Sequence, residues 1–324
     1  MRDTLERYQV WIYLSAIVLG LVAGWSAPLW TVNWDSALWF LIGVLLFATF
    51  TQIPLVNIRL AFVDARFIAA LVVGNFIFMP AVVWLLLHIT PDAPAIQLGV
   101  LLVLLVPCTD WFITFTSLGR GDTGHAVAAT PILLLMQLIL LPFYLWLLLG
   151  DTLVEIAYAD RLLPAFFGLI ILPLLLAWIL QRVALKKLAV KPIFPFLAWF
   201  PIPLLAIVVF LIAASQVGIV TSEIVILWPV LLVFIVYLVA AAGVGLLLSR
   251  ALNLSPRTGR TLVFSLATRN SFVMLPLALA LPGGWSAAAV VIVMQSLVEL
   301  FGMSVFLRWV PEHLIPDKLA DRKV

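Results

Sequence analysis

Two short stretches hold most of the reactive side chains inside this otherwise apolar chain. One reads Leu105-Val106-Pro107-Cys108-Thr109-Asp110-Trp111. The other reads Ser265-Leu266-Ala267-Thr268-Arg269-Asn270-Ser271, with Pro276 following. Pro107 lacks a backbone donor and its ring clashes one turn back, so a helix is expected to break or kink there. Within a bilayer, broken backbone is tolerated only where protein or a water-filled cavity satisfies it. The freed helix ends then present amides and carbonyls to a solute or ion. Asp110 and Arg269 each cost about 2.5–3.5 kcal/mol at the membrane centre on insertion scales. If the two stretches cross, these charges meet. Two uses are then open: a static ion pair that holds the crossing, or a direct part in solute or proton handling.

Cys108 is the only cysteine. A buried lone cysteine acts as a small hydrophobe, but a sulfur ligand beside a helix break also suits soft, thiophilic species. Arg269 nearby would favour its thiolate form. Thr109, Thr268, Asn270 and Ser271 offer liganding oxygens, or equally hydrogen bonds between helices. Gln295 and Glu299 stand four residues apart, on one helix face. Glu299 is read either as a proton or cation carrier, or as a carboxyl bonded to its neighbours.

The elements that position these residues follow from composition. Of 324 residues, 65% are hydrophobic and 10% charged, against roughly 25% charged in soluble domains. Lipid must be the solvent for most of the chain, which excludes a soluble enzyme and a disordered protein. One cysteine excludes an intramolecular disulfide and a cysteine-cluster metal site, and no cofactor is expected. Ten apolar segments are long enough to span: 10–28, 37–56, 67–88, 95–117, 125–149, 161–181, 196–217, 224–248, 259–281 and 286–309. The first is too long for a signal peptide and is kept as a helix. Sixteen of the 18 Lys and Arg residues fall in loops or at segment ends on one side; Arg161 lies opposite and Arg269 lies deep within a segment. By the positive-inside rule that side is cytoplasmic, with both termini there, in an inner membrane. Insertion bias explains this basic face, so no nucleic acid is expected as a partner.

Shifted by about 160 residues, five segments fall on the other five, the spacing of a transporter repeat. Met136-Gln137 echoes Met294-Gln295, and Gly119/Gly121 echo Gly283/Gly284. An odd count inverts the second copy. The expected fold is an all-α polytopic membrane protein of ten helices. It forms two inverted five-helix repeats, 1–155 and 156–324, with segments four and nine broken and crossing. Inverted repeats point to a secondary transporter working by alternating access. Enzyme readings are weaker. Gly119-Arg120-Gly121-Asp122 fits the G-x-G-D of intramembrane aspartyl proteases, but the second aspartate, Asp110, lies twelve residues earlier on the same segment. That is about 18 Å along a helix, too far to share a proton. No zinc-protease, nucleophile-elbow or phosphate-loop motif occurs.

The whole chain resembles the superfamily of bile acid/sodium symporters and arsenite efflux permeases. Pro107-Cys108 followed by Leu118-Gly119-Arg120-Gly121-Asp122 is similar to the permeases' helix-four cysteine and the L-x-K-G-D-like run after it. Leu297-Val298-Glu299 resembles their helix-ten L-V-E, and Asn270-Ser271-Phe272 their N-N-F. The resemblance implies the ten-helix inverted repeat and makes Cys108 the transient metalloid contact. Val273 stands where those permeases carry a glutamate, so Asp110 or Glu299, with Gln295, would handle the proton. Against the sodium symporters, Ser265 and Arg269 replace the Glu and Gln of a helix-nine motif, and Phe112-Ile113 replace a Ser-Asn pair. A proton is therefore expected as coupling ion over sodium. The resulting expectation is export of arsenite or antimonite by proton antiport. The alternative is a sodium- or proton-coupled symporter of a small organic anion, with Arg269 pairing its carboxylate.

Overall fold

A chain this apolar must satisfy its own backbone, and helices do that within a single segment. In the computed structural model, residues 2–26, 35–53, 64–109, 111–150, 166–187, 190–215, 224–279, 281 and 283–317 are described. Every regular element among them is helical. In chain order the helices are α1 (Arg2–Ser26), α2 (Asp35–Gln52), α3 (Ala65–Leu87), α4 (Pro94–Leu104), α5 (Trp111–Leu118), α6 (Thr123–Leu149), α7 (Phe166–Lys186), α8 (Ile193–Leu197), α9 (Pro201–Ser215), α10 (Ile224–Ala251), α11 (Pro256–Ala267), α12 (Ser271–Leu279) and α13 (Ala287–Trp309). Six spans among the described residues are long and apolar enough to cross a bilayer: α3, α6, α7, α8 with α9, most of α10, and Ala287–Leu314.

Segments 95–117 and 259–281, expected to be broken, are each two helices. The first divides into α4 and α5 and the second into α11 and α12, with 105–109 and 268–270 non-helical between them. Segment seven also departs from a single run. It begins at Ile193 and turns at residues 198–200 before Pro201 starts α9. Elsewhere prolines are absorbed: Pro131 and Pro142 lie inside α6, Pro229 inside α10 and Pro276 inside α12.

α1 packs along α9, and α2 lies against α7 and α9. α13 is the hub for the interrupted pair: α4, α10 and α12 all pack on it, while α11 packs on α10. Close approach needs small residues. A Cβ at Gly99 of α4 would stand 2.9 Å from the Ala288 Cα and carbonyl oxygen of α13, so only glycine fits that contact. The core is a continuous apolar cluster. Large apolar side chains such as Trp11, Trp25, Phe40, Ile139 and Trp228 remain on the outside, the surface that lipid covers.

α3 carries a π-helical stretch, Gly74–Phe78. Such a bulge frees carbonyls from the regular ladder and often marks a functional position. Here the Tyr144 hydroxyl of α6 donates to the Phe76 carbonyl. A Cβ at Gly74 would meet Leu266 Cδ2 at 2.9 Å, so the bulge lies directly on the end of α11.

Candidate functional site at the crossing of two interrupted helices

The two breaks meet. Pro107 and Arg269 form an isolated antiparallel bridge. The Cys108 amide donates to the Thr268 carbonyl (3.2 Å), and the Asn270 amide donates to the Val106 carbonyl (2.8 Å). Each opened backbone thereby satisfies the other, as buried amides and carbonyls require. Side chains add to the link. Asn270 Nδ2 donates to Thr109 Oγ1 at 3.3 Å, and Asn270 Oδ1 accepts from the Val273 amide at 3.3 Å. The Thr268 hydroxyl donates to the Phe264 carbonyl at 2.8 Å, closing the last turn of α11.

Arg269 is 2% exposed. Its backbone N–H donates to Glu299 Oε2 at 2.8 Å. Its guanidinium Nη2 donates to the Leu266 carbonyl at 2.6 Å and to Asn75 Oδ1 at 3.0 Å. The guanidinium carbon lies 5.2 Å from the centre of the Tyr237 ring. Nε and Nη1 have no hydrogen-bond partner among the described residues. A buried charged donor without a partner costs more than a neutral one, so this residue is held at a cost.

Of the expected site residues, the structure brings Cys108, Thr109, Arg269, Asn270, Ser271, Gln295 and Glu299 into one cluster. Cys108 is buried beside the bridge. The Ser271 hydroxyl donates to Gln295 Oε1 (2.5 Å), and Gln295 Nε2 donates to Glu299 Oε2 (2.8 Å). Glu299 and Gln295 therefore belong to the crossing itself. Asp110, and with it the expected pairing of Asp110 with Arg269, lies outside the described residues.

Two contributors, Asn75 and Tyr237, were not read from the sequence. Asn75 of α3 donates its amide to Leu71 O and Ser265 Oγ, both at 3.1 Å, which fixes its oxygen toward Arg269. The Tyr237 hydroxyl donates to Leu266 O at 3.1 Å, and Ser265 receives Asn75. One signal was available: Asn75 is the only Asn or Gln between Ala65 and Leu87. The Met136-Gln137 echo divides in the structure. Gln295 is bonded on both sides, whereas the buried Gln137 amide has no partner among the described residues.

The Gly119-Arg120-Gly121-Asp122 run has a structural role. The Gly119 and Gly121 amides close the end of α5 on the Phe115 and Thr116 carbonyls, both at 2.8 Å. Arg120 takes the left-handed turn position at φ 57°. Asp122 then caps α6 by accepting from the His125 amide at 3.0 Å. Burial would raise its carboxyl, but bonds from His125 backbone and ring and from the Gly124 amide hold it below its ordinary value. His125 stands between two carboxylates, Nδ1 3.1 Å from Asp122 and Nε2 3.5 Å from Asp64. They border a cleft of about 530 Å³ shared with Asn253, Ser255 and Thr258. Arg260, expected as a loop cation, is 1% exposed. It donates to the Arg120 and Ile315 carbonyls at 3.1 and 2.9 Å and pairs with Asp317 at 2.8 Å.

Crossed, interrupted helices with a charged centre inside an apolar bundle are the architecture of solute transport. A sequence model of the Sodium Bile acid symporter family matches residues 39–223, more than half of the chain's 324. The chain belongs to the sodium bile acid symporter family. It is a multi-pass membrane protein of a family of transporters rather than enzymes. No curated relative matches the chain. The family match contains Asn75 and the Pro107–Cys108 break and ends before α10. Tyr237, Arg269, Gln295 and Glu299 of this family member lie beyond it.

Proposed function

We propose that this family member is a secondary active transporter of a small organic anion, bound at the crossing and paired by Arg269. The carrying observation is the Arg269 guanidinium. It is buried at the meeting point of two broken helices, with Nε and Nη1 unbonded among the described residues. An anionic oxygen is the partner such donors bind best. We place the crossing within ten helices arranged as two inverted repeats, 1–155 and 156–324. Alternating access then exposes it to each side in turn. The basic loops put both termini on the cytoplasmic side of an inner membrane.

The family match supports solute transport. Export of arsenite or antimonite by proton antiport is the second reading, favoured by one observation: Cys108 is buried within the crossing, its amide bonded to Thr268.

Two variants separate the readings, compared in proteoliposomes against a panel of small carboxylates and sulfonates at equal expression. Arg269→Gln removes a charge-assisted contact worth about 1.5–3 kcal/mol, so uptake falls at least about tenfold. Cys108→Ser keeps uptake within about twofold, as a small buried side chain of similar size. In parallel, arsenite accumulation is measured in cells stripped of their own exporters. If wild type lowers accumulation and Cys108→Ser does not, the metalloid reading replaces the anion reading.

A further inference from the structure

The family's name raises the question of a coupling cation, and the crossing already holds one. We infer that the Arg269 guanidinium is the resident cation of the crossing, so this protein neither binds nor requires sodium there. This inference concerns the coupling of the site described above and rests on the transporter reading for its consequence, though not for its test.

Three electron-rich neutral groups converge on the guanidinium: the Leu266 carbonyl at 2.6 Å, Asn75 Oδ1 at 3.0 Å and the face of Tyr237 at 5.2 Å. Carbonyl and amide oxygens are what a hard cation uses to replace its hydration shell, and an aromatic face attracts positive charge. Leu266 lies in the last turn of α11, where orphan carbonyls and the negative end of the helix dipole favour a cation. The cage is built and not incidental. Asn75 donates both to Leu71 and to Ser265, so its oxygen is left to face Arg269. Tyr237 is oriented by its own bond to Leu266. Glu299 and Gln295 hold the backbone of the same residue from α13.

These oxygens are occupied, and the carboxylate of the cluster, Glu299, already accepts from the Arg269 amide and from Gln295, so a second cation beside the guanidinium meets the repulsion of a like charge in a poorly screened interior. The positive charge that another transporter would take from solution is here attached to the chain. Solute binding follows: an anion meets the same crossing whether the bath holds sodium or potassium.

The test reads cation binding directly, with purified protein in detergent at constant ionic strength. Wild type is expected to show no saturable ²²Na⁺ binding and no change in Tm when potassium replaces sodium. Arg269→Ala empties the cage, and guanidinium chloride at low, non-denaturing concentration is expected to raise its Tm saturably by linkage. Choline, too large and without N–H donors, is expected to leave it unchanged. Asn75→Leu added to Arg269→Ala should abolish the guanidinium response. Saturable ²²Na⁺ binding by wild type overturns the inference, as does a folded Arg269→Ala that ignores guanidinium. If Arg269→Ala does not fold, the wild-type measurement decides alone. Neither readout uses a solute. A wild type that binds no sodium and responds to no organic anion keeps this inference and sinks the solute reading.

Discussion

The two breaks meet in one bridge but are made differently. At 105–109 the interruption coincides with Pro107, and the polar side chains there are the Cys108 thiol and the Thr109 hydroxyl. At 268–270 no proline is present; Pro276 lies inside α12. That break is drawn open from outside. The Arg269 amide leaves its own ladder for Glu299, and the Asn270 amide leaves for Val106. The contrast bears on cause. Pro131, Pro142 and Pro229 all sit within helices, so proline by itself does not open a helix in this bundle. What distinguishes Pro107 is that an opposing backbone waits to bond both of its neighbours.

The sharpest way to break this comparison is to remove what holds the charged side. Asn75→Leu leaves an Arg269 donor and the Ser265 hydroxyl without their bonds, and Glu299→Gln removes the carboxylate acceptor of the Arg269 amide. Each change is expected to cost about 1.5–3 kcal/mol, the range for bonds to charged groups. Thermal unfolding in detergent measures the loss, and anion uptake should fall with it. An equally large loss from Cys108→Ser would mean that the two breaks are not so different, since that change is expected to cost well under about 1 kcal/mol.

Part of this was legible in the residues. Pro107 announces its break because its ring and missing donor act locally. Arg269 and Glu299 announce themselves because charge is rare in apolar segments. Their arrangement was not legible. That Glu299 serves the Arg269 backbone depends on how α13 packs against the crossing, and no local rule contains that. Asn75 hid because one amide in a long apolar run reads as a helix contact until its oxygen is seen to face a cation. Tyr237 hid because an aromatic in an apolar helix reads as core. The inverted repeat and the sidedness of the loops remain proposals drawn from spacing and charge.

The comparison extends from the buried crossing to the half-exposed end of the bundle. Asp122 there caps α6 and faces His125. Losing an N-cap costs about 1 kcal/mol, so Asp122→Ala should lower stability less than Asn75→Leu. Its pH dependence has a definite sign. The folded carboxyl lies below its ordinary value, so its contribution is present above the ordinary carboxylate range. It is lost as pH falls through the folded value. The Tm gap between wild type and Asp122→Asn should be full at neutral pH and shrink below about pH 4. A gap that widens on acidification would show that His125 and Asp64, not the cap, dominate this end.

The smallest expected effect tests the cause of the first break. Pro107→Ala restores an amide and removes a ring clash, which in an ordinary helix stabilises the helical form by about 3 kcal/mol. If the proline alone opened the chain, residues 105–109 would close onto the ladder. Closing them would strand the Thr268 carbonyl and the Asn270 amide, which now bond Cys108 and Val106. Two buried backbone groups left unpaired cost about 1–3 kcal/mol each, enough to offset the helical gain. The break is therefore expected to persist in Pro107→Ala, with stability changed by less than about 1 kcal/mol. Amide hydrogen exchange at Cys108 and Asn270 should stay as slow as in wild type. Rapid exchange at Asn270 in the variant would mean that the strands had parted. Proline would then be the cause of the crossing rather than one of its consequences.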